Sequence, residues 1–172
     1  MAKVLILTDG KAGHENQSKA FARALGCEYD LVEVHFKSKF HKALSYLFDH
    51  LGLRTLSLFQ SNNQAIEPSN NYSLVLGTGS GTFYAAKAMA KKLGVKCAVV
   101  LYPRGYDLAS FDCILAPSFD RPQAAANVIE IPANLVANDE AFYAKGIEDF
   151  KRHYAQVNNR ALEPAGNAIA VI

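Results

Sequence analysis

Apolar and polar positions along the chain alternate between the two periods expected of an α/β protein. Val4 to Thr8 is an unbroken run of the kind that fills a strand covered on both faces, and it stops abruptly at Asp9-Gly10. The loop Gly10-Lys11-Ala12-Gly13-His14 comes next, and Ala20, Phe21, Ala24 and Leu25 then recur at helical spacing up to a stop at Gly26. The pattern resumes with a strand over Leu31 to Phe36. Ser38 is placed to cap a helix carrying Phe40, Ala43, Leu44, Leu47, Phe48 and Leu51 on one face, with Gly52 as its end. That stripe is wide: it either buries against the sheet or is a surface offered to a lipid-linked substrate or a partner. A third strand, Ser73 to Leu76, runs into Gly77-Thr78-Gly79-Ser80-Gly81, and Phe83, Ala86, Met89, Ala90 and Leu93 then line the buried side of a helix closed by Gly94. Strand, glycine turn and helix thus occur twice.

The remaining pattern predicts strands over Val95 to Tyr102, Asp112 to Ala116 and Val128 to Ile131. Arg54 to Phe59 fits no single register, and Ser61 to Asn71 reads as a polar surface connection. Asn138 is a suitable cap for a helix with Tyr143, Ile147, Phe150 and Tyr154 along one face. Gln156 to Asn167 is linker-like, and Ala168 to Ile172 reads as the first strand of a further domain or as an edge strand of the same sheet. The organisation expected is a domain over 1–155, with 156–172 as linker and start of a second domain. The fold class is α/β with a mainly parallel sheet. Two glycine turns at one edge of such a sheet would face each other across a crevice, where anions meet backbone N–H groups and helix N-termini.

Composition narrows the function classes. The 18 basic and 16 acidic residues nearly balance, which argues against a nucleic-acid groove. Met1-Ala2-Lys3 leads straight into the first strand with no secretory signal, and no apolar run reaches membrane-span length, so a cytoplasmic protein is expected. Cys27, Cys97 and Cys113 are scattered in apolar surroundings and read as reduced core thiols.

Candidate chemistry gathers at the two glycine turns. His14, where loop becomes helix, is the candidate base toward an acceptor hydroxyl, and Asp9 either serves as base itself or orients His14. Each has a structural alternative: a helix-entry His bonded to backbone, and an Asp shaping the turn before Gly10. Gly10, Lys11, Gly13, Glu15 and Gln17 are candidate ligand contacts, Lys11 toward a phosphate and Gln17 toward a sugar, although Glu15 equally suits the first turn of a helix. Gly77, Thr78 and Gly79 form the second candidate group, with Thr78 or Ser80 available to cap the helix after it. Asp120 and Arg121 lie in the loop after the fifth strand, either as a mutual ion pair or with Arg121 on a phosphate; Arg104 is a similar case. His35, His41, His50 and His153 show no ligand spacing.

The stretch Leu7-Thr8-Asp9-Gly10-Lys11-Ala12-Gly13-His14-Glu15-Asn16-Gln17 resembles the opening of the mitochondrial-fission "elongated mitochondria" family. Leu76-Gly77-Thr78-Gly79, Phe111-Asp112, Ala116-Pro117, Asp120-Arg121 and Asn127-Val128 then occur in matching order. The resemblance covers essentially the whole chain, while members of that family look about twice as long. It implies the amino-terminal, Rossmann-like three-layer half of a GT-B architecture. The Gly10 to His14 loop is also similar in placement to the Gly-Gly-His loop of the transferase that adds N-acetylglucosamine to the lipid-linked cell-wall precursor. By function, the resemblance implies a nucleotide-sugar-dependent, glycosyltransferase-like protein in which this half supplies the acceptor side, or else a non-catalytic interaction protein. It further implies no cofactor and no metal, no nucleic acid, and a sugar or lipid-linked acceptor, with peripheral membrane contact left open. Since GT-B donors sit mainly in the other half, these residues alone are expected to be inactive.

Overall fold

A computed structural model describes residues 3–60, 71–136 and 140–158. The predicted connection at 61–70, the Asn138 cap and residues 159–172 lie outside the described residues. The chain forms two compact units, Met1–Ala137 and Asn138–Ile172. Within the first, β1 (Lys3–Thr8), β2 (Glu28–Glu33), β3 (Tyr72–Thr78), β4 (Lys96–Val100), β5 (Cys113–Pro117) and β6 (Val128–Ile131) make one sheet. The order is β2-β1-β3-β4-β5-β6, and every pairing is parallel. Its helices are α1 (Ala12–Ala24), α2 (Lys39–His50) and α3 (Phe83–Leu93). This is the three-layer, Rossmann-like α/β architecture.

The apolar runs go where a parallel sheet needs them. Val4 and Ile6 of β1 join Leu76, Ala98, Val100 and the α1 residue Ala22 on one face, while Leu5 and Leu7 join Val75, Val99, Ile114 and α3 on the other. Period-2 alternation therefore splits a continuous apolar strand between two cores. Cys97 lies in the second core, and burial pushes its thiol up to about 12, far from a reactive thiolate. Among the described residues all the cysteines are free, as expected of core thiols.

The second strand lies three residues earlier than its apolar pattern, at Glu28–Glu33 instead of Leu31 to Phe36. β2 ends at Glu33; beyond it the Lys37 N–H donates to the Leu58 carbonyl and the Gln60 N–H to the His35 carbonyl. Phe36 and Phe59 stack with centroids 4.4 Å apart across this antiparallel tie, which is where the ambiguous stretch after Arg54 finds its register.

The largest departure from expectation is α2. Ser38 caps it, its side chain accepting from the His41 N–H, and the chain leaves through Gly52 as the sequence predicts. Yet the buried positions of α2 are Ser45 and Asp49, while Phe40, Leu47 and Leu51 are exposed. Burial of the stripe against the sheet, the first of the two expectations, is wrong for most of it; only Leu44 and Phe48 pack partly inward. The reason is a polar anchor. Asp49 receives the Lys87 ammonium of α3 on both oxygens, at 2.7 and 2.9 Å, together with the Asp107 N–H at 2.6 Å, and Arg54 pairs with it at 3.3 Å. Ser45 adds a 3.0 Å bond to the Tyr106 hydroxyl, and Tyr46 stacks on the Tyr106 ring. Removing one partner of such a buried pair costs about 3–5 kcal/mol, and turning α2 over would pull Asp49 away from all of its partners at once.

The second unit is described by itself. α4 (Glu140–Asn158) extends three residues into the stretch read as linker, and Tyr143, Ile147 and Phe150 of its predicted apolar face are exposed.

Candidate functional site

The chain leaves β1 outward to β2, crosses back to β3 on the other side of β1, and proceeds from there to β6. The order therefore reverses between β1 and β3, and in open α/β sheets the crevice at such a point, outside the carboxyl ends of the strands, is where ligands bind. Both glycine turns stand at this point, one after Thr8 and one after Thr78.

They touch. Gly79 has φ +83°, open to glycine at little cost, and a Cβ built there would lie 2.2 Å from Cε1 and 2.5 Å from Nδ1 of His14. The imidazole thus lies flat on the second turn. At Gly81 a Cβ would come within 2.9 Å of Asp9, at both its Cβ and Oδ2. Side chains from the first loop are seated on bare backbone of the second.

The Asp9 side chain is 8% exposed and accepts from two basic side chains: Lys11 Nζ at 2.9 Å on Oδ2 and His14 Nδ1 at 2.9 Å on Oδ1. Burial by itself would raise its pKa, but the bonds from Lys11 and His14 outweigh burial and hold the carboxyl below its ordinary value. An ionised carboxylate only accepts, so Nδ1 of His14 is the donor and, in the neutral ring, Nε2 keeps the lone pair. The His14 side chain is 20% exposed, so the ring is not sealed from solvent.

The helix behind this pair begins without a side-chain cap. Lys11 is at the N-cap position, no side-chain hydrogen bond closes the turn, and a Cβ on Gly13 would meet nothing within 4 Å. First-turn N–H groups and the positive end of α1 thus face open space. One turn further on, Gln17 is 7% exposed and its Oε1 has no hydrogen-bond partner. A buried acceptor left unpaired costs about 1–3 kcal/mol, so it marks a place where a donor is missing. Glu15 points elsewhere, into a 2.6 Å bond with Lys19 along α1.

Other candidates sit below or beside the rim. A Cβ on Gly77 would meet Thr82 Oγ1 at 2.8 Å and Ala86 Cβ at 3.2 Å, so this glycine lets α3 settle onto β3. Thr78 is buried and bonds Ser18 of α1 through their hydroxyls at 2.7 Å. Neither Thr78 nor Ser80 caps α3, against expectation; the cap position falls to Thr82, whose hydroxyl donates to the Gly79 carbonyl, and Ser80 accepts from Lys42 of α2 at 2.9 Å.

Asp120 and Arg121 are not brought to this crevice. They come after β5, two strands from β3, and among the described residues no ion pair joins them. Arg121 takes a left-handed φ of +49°, Asp120 Oδ2 accepts from the Tyr102 N–H at 3.3 Å, and Arg104 bonds the Asp120 carbonyl. The mutual ion pair read from adjacency is replaced by a brace between the loops after β4 and β5. A depression at the opposite edge of the sheet, lined by Ser73, Gly94, Val95, Lys96 and Asp112, holds only a solvent-facing ion pair.

Three features of the rim escape a reading of the sequence. Glu33 and His35, paired at 2.8 Å after β2, press on the first loop: a Cβ on Gly10 would lie 2.6 Å from Glu33 Oε1. Leu101 adopts φ +76° at the end of β4, a strained conformation for a side chain of its size, beside the Gly79 turn whose N–H reaches the Val100 carbonyl. Lys42 is the third. Only position at a strand's carboxyl end could have flagged Glu33 and His35; nothing in the sequence announces Leu101.

The family model "Mitochondrial fission ELM1" matches residues 12–163. No curated protein matches the chain. A solved structure described as "Crystal Structure of Sa239" is similar over 100% of this chain and 81% of its own, at 11% identity and a TM-score of 0.36, too loose an overlap to carry argument. Among the described residues, no helix is long and apolar enough to cross a membrane.

Proposed function

Because this chain belongs to the mitochondrial fission ELM1 family, a GT-B-like family, we propose that it is the acceptor-side half of a nucleotide-sugar-dependent, glycosyltransferase-like protein. The observation that carries this reading is the seating of His14 on Gly79 with Asp9 behind it, at the point where strand order reverses. In the proposed mechanism Asp9 holds Nδ1 of His14 protonated, and Nε2 takes the proton of an acceptor hydroxyl as that oxygen attacks the anomeric carbon of the donor sugar. Lys11 and the uncapped first turn of α1 hold phosphate oxygens of the acceptor. Gln17 accepts a hydrogen bond from a sugar or amide donor, relieving its unpaired oxygen. The nucleotide leaves from the side of the donor-binding half.

Melting temperature tests this on the chain itself, since a ligand held only by the folded form raises it. A short polyprenyl diphosphate or a sugar diphosphate at saturating concentration is expected to raise the melting point, and His14→Ala or Lys11→Ala to weaken that response about tenfold in concentration, each variant melting within a few degrees of the parent. No response to any diphosphate would remove the crevice from the reading. Where a donor half is supplied, His14→Ala is expected to lower turnover by about 10²- to 10⁴-fold with folding intact.

A second reading, a non-catalytic interaction protein, draws on the exposed apolar face of α2. Sugar transfer unchanged with Asp9 and His14 both replaced would take these residues out of any mechanism and favour it.

A further inference from the structure

α2 is mounted inside out, and its outer surface has a composition of its own. Phe40 is 71% exposed, Leu47 55%, Leu51 63% and Leu53, just beyond the helix, 48%. Positions 40, 47 and 51 fall within one narrow arc of the helix, so these side chains form a stripe along its outer face rather than scattered apolar spots. A 12-residue helix makes that stripe about 18 Å long.

Charge around the stripe has one sign. From Val34 to Gln60 the only carboxylate is Asp49, which is sealed beneath the helix by Lys87, Arg54 and the Asp107 N–H. The exposed ionisable neighbours are Lys37 and Lys39 at the end where the helix dipole is positive, and His50 at the other. Glu33, the exposed carboxylate just before this segment, is paired with His35 at 2.8 Å. An apolar stripe with the cationic border of Lys37 and Lys39 is complementary to an anionic lipid surface, which receives leucine and phenylalanine at the acyl boundary and lysine at the phosphates.

We infer that α2 lies in the plane of an anionic membrane surface, inserting Phe40, Leu47, Leu51 and Leu53 and setting Lys37 and Lys39 on lipid phosphates. The site stands independently of what the crevice binds. It has a consequence for the crevice all the same: Lys42, on the inner side of the same helix, bonds Ser80 of the second glycine turn, so a docked α2 holds that turn close to the headgroups.

Flotation of the full 172-residue chain with vesicles tests the inference. Vesicles of phosphatidylcholine mixed with phosphatidylglycerol are expected to carry the protein, phosphatidylcholine vesicles far less, and added salt to release it. Phe40→Ser, Leu47→Ser and Leu51→Ser together are expected to abolish flotation, and Lys37→Glu with Lys39→Glu to weaken it at least tenfold toward anionic vesicles only. All these positions are exposed, so melting temperatures should stay within a few degrees of the parent, and the charge pair provides a second variant that leaves the apolar stripe intact. Three results would overturn the inference: no flotation with either vesicle, flotation indifferent to both sets of substitutions, or a concentration-dependent dimer that the serine substitutions dissolve, which would make a second copy the occupant.

Discussion

Two aspartates in this molecule each hold a pair of basic side chains, and they do opposite work. Asp49 takes Lys87 and Arg54 in the sealed junction between α2 and α3; Asp9 takes Lys11 and His14 at the rim of the sheet. At Asp49 the backbone completes the set, through the Asp107 N–H to its carboxylate and the Lys87 ammonium to the Asp107 carbonyl. The Lys87 ammonium also lies 4.0 Å from the centroid of Phe111. Burial nonetheless pulls the Lys87 pKa down against the pull of Asp49, as expected of a charge taken fully out of water. At Asp9 the lysine is exposed, the other partner is a ring with a free nitrogen, and bare glycine backbone faces that ring and the carboxylate. The same composition is a bolt where every valence is used inside the protein and a candidate site where some are left over.

The sharpest way to break this contrast is at the bolt. Asp49→Ala leaves Lys87 and Arg54 without their shared carboxylate and is expected to cost about 3–5 kcal/mol in urea unfolding. Asp49→Leu combined with Lys87→Met should recover part of that loss, since it removes the uncompensated Lys87 charge while Arg54 keeps its bonds to the backbone carbonyls of positions 49 and 53. If Asp49→Ala costs under about 1 kcal/mol, the junction is not what holds α2 polar side inward.

Next in size is the contact that makes the rim one site. Gly79→Ala forces a Cβ into the His14 ring at a positive φ and is expected to cost about 2–3 kcal/mol. Combining it with His14→Ala should return part of this, a coupling of about 1 kcal/mol in a double-mutant cycle, while the backbone strain stays. Additive losses would mean that His14 does not rest on the turn.

A smaller effect separates the clusters by pH. Asp9→Asn keeps the shape but loses the charge-assisted bonds, about 1–2 kcal/mol at neutral pH. The folded pKa of Asp9 lies below its unfolded value of about 3.9, so its contribution is complete above about pH 5 and fades as pH falls through the folded value. Melting curves of parent and variant should therefore converge in acid. A gap that does not narrow as the pH falls below the ordinary carboxylate range would show that the amide costs stability for reasons other than charge.

The comparison also shows what sequence reading reaches. The strands, both glycine turns and the helix stops at Gly52 and Gly94 are legible because backbone chemistry writes them locally: apolar runs, left-handed glycines, a serine cap. The meeting of the turns comes from strand topology. The orientation of α2 is not legible, because periodicity reports where apolar residues lie on a helix and not which side faces in; the residue that decides it, Lys87, stands 38 positions away in a helix that otherwise reads as apolar. Asp120 and Arg121 mislead for the opposite reason: adjacency in sequence suggests a pair, and the Asp120 carboxylate accepts from the Tyr102 N–H instead.

The smallest expected effect bears most directly on function. Gln17 has its Oε1 buried without a partner, one turn along α1 from His14. If that oxygen serves only packing, Gln17→Met, of similar length and without the unpaired acceptor, should raise stability by roughly 0.5–1 kcal/mol and change nothing else. If the crevice is built to receive a donor group there, the same substitution should stabilise the free protein and also weaken the diphosphate-induced rise in melting temperature, by about tenfold in ligand concentration. Stability gained at the expense of binding is the signature of a site held ready at a cost to the fold. Stability gained with binding untouched would assign Gln17 to the core and leave Asp9, Lys11 and His14 as the whole of the proposed site.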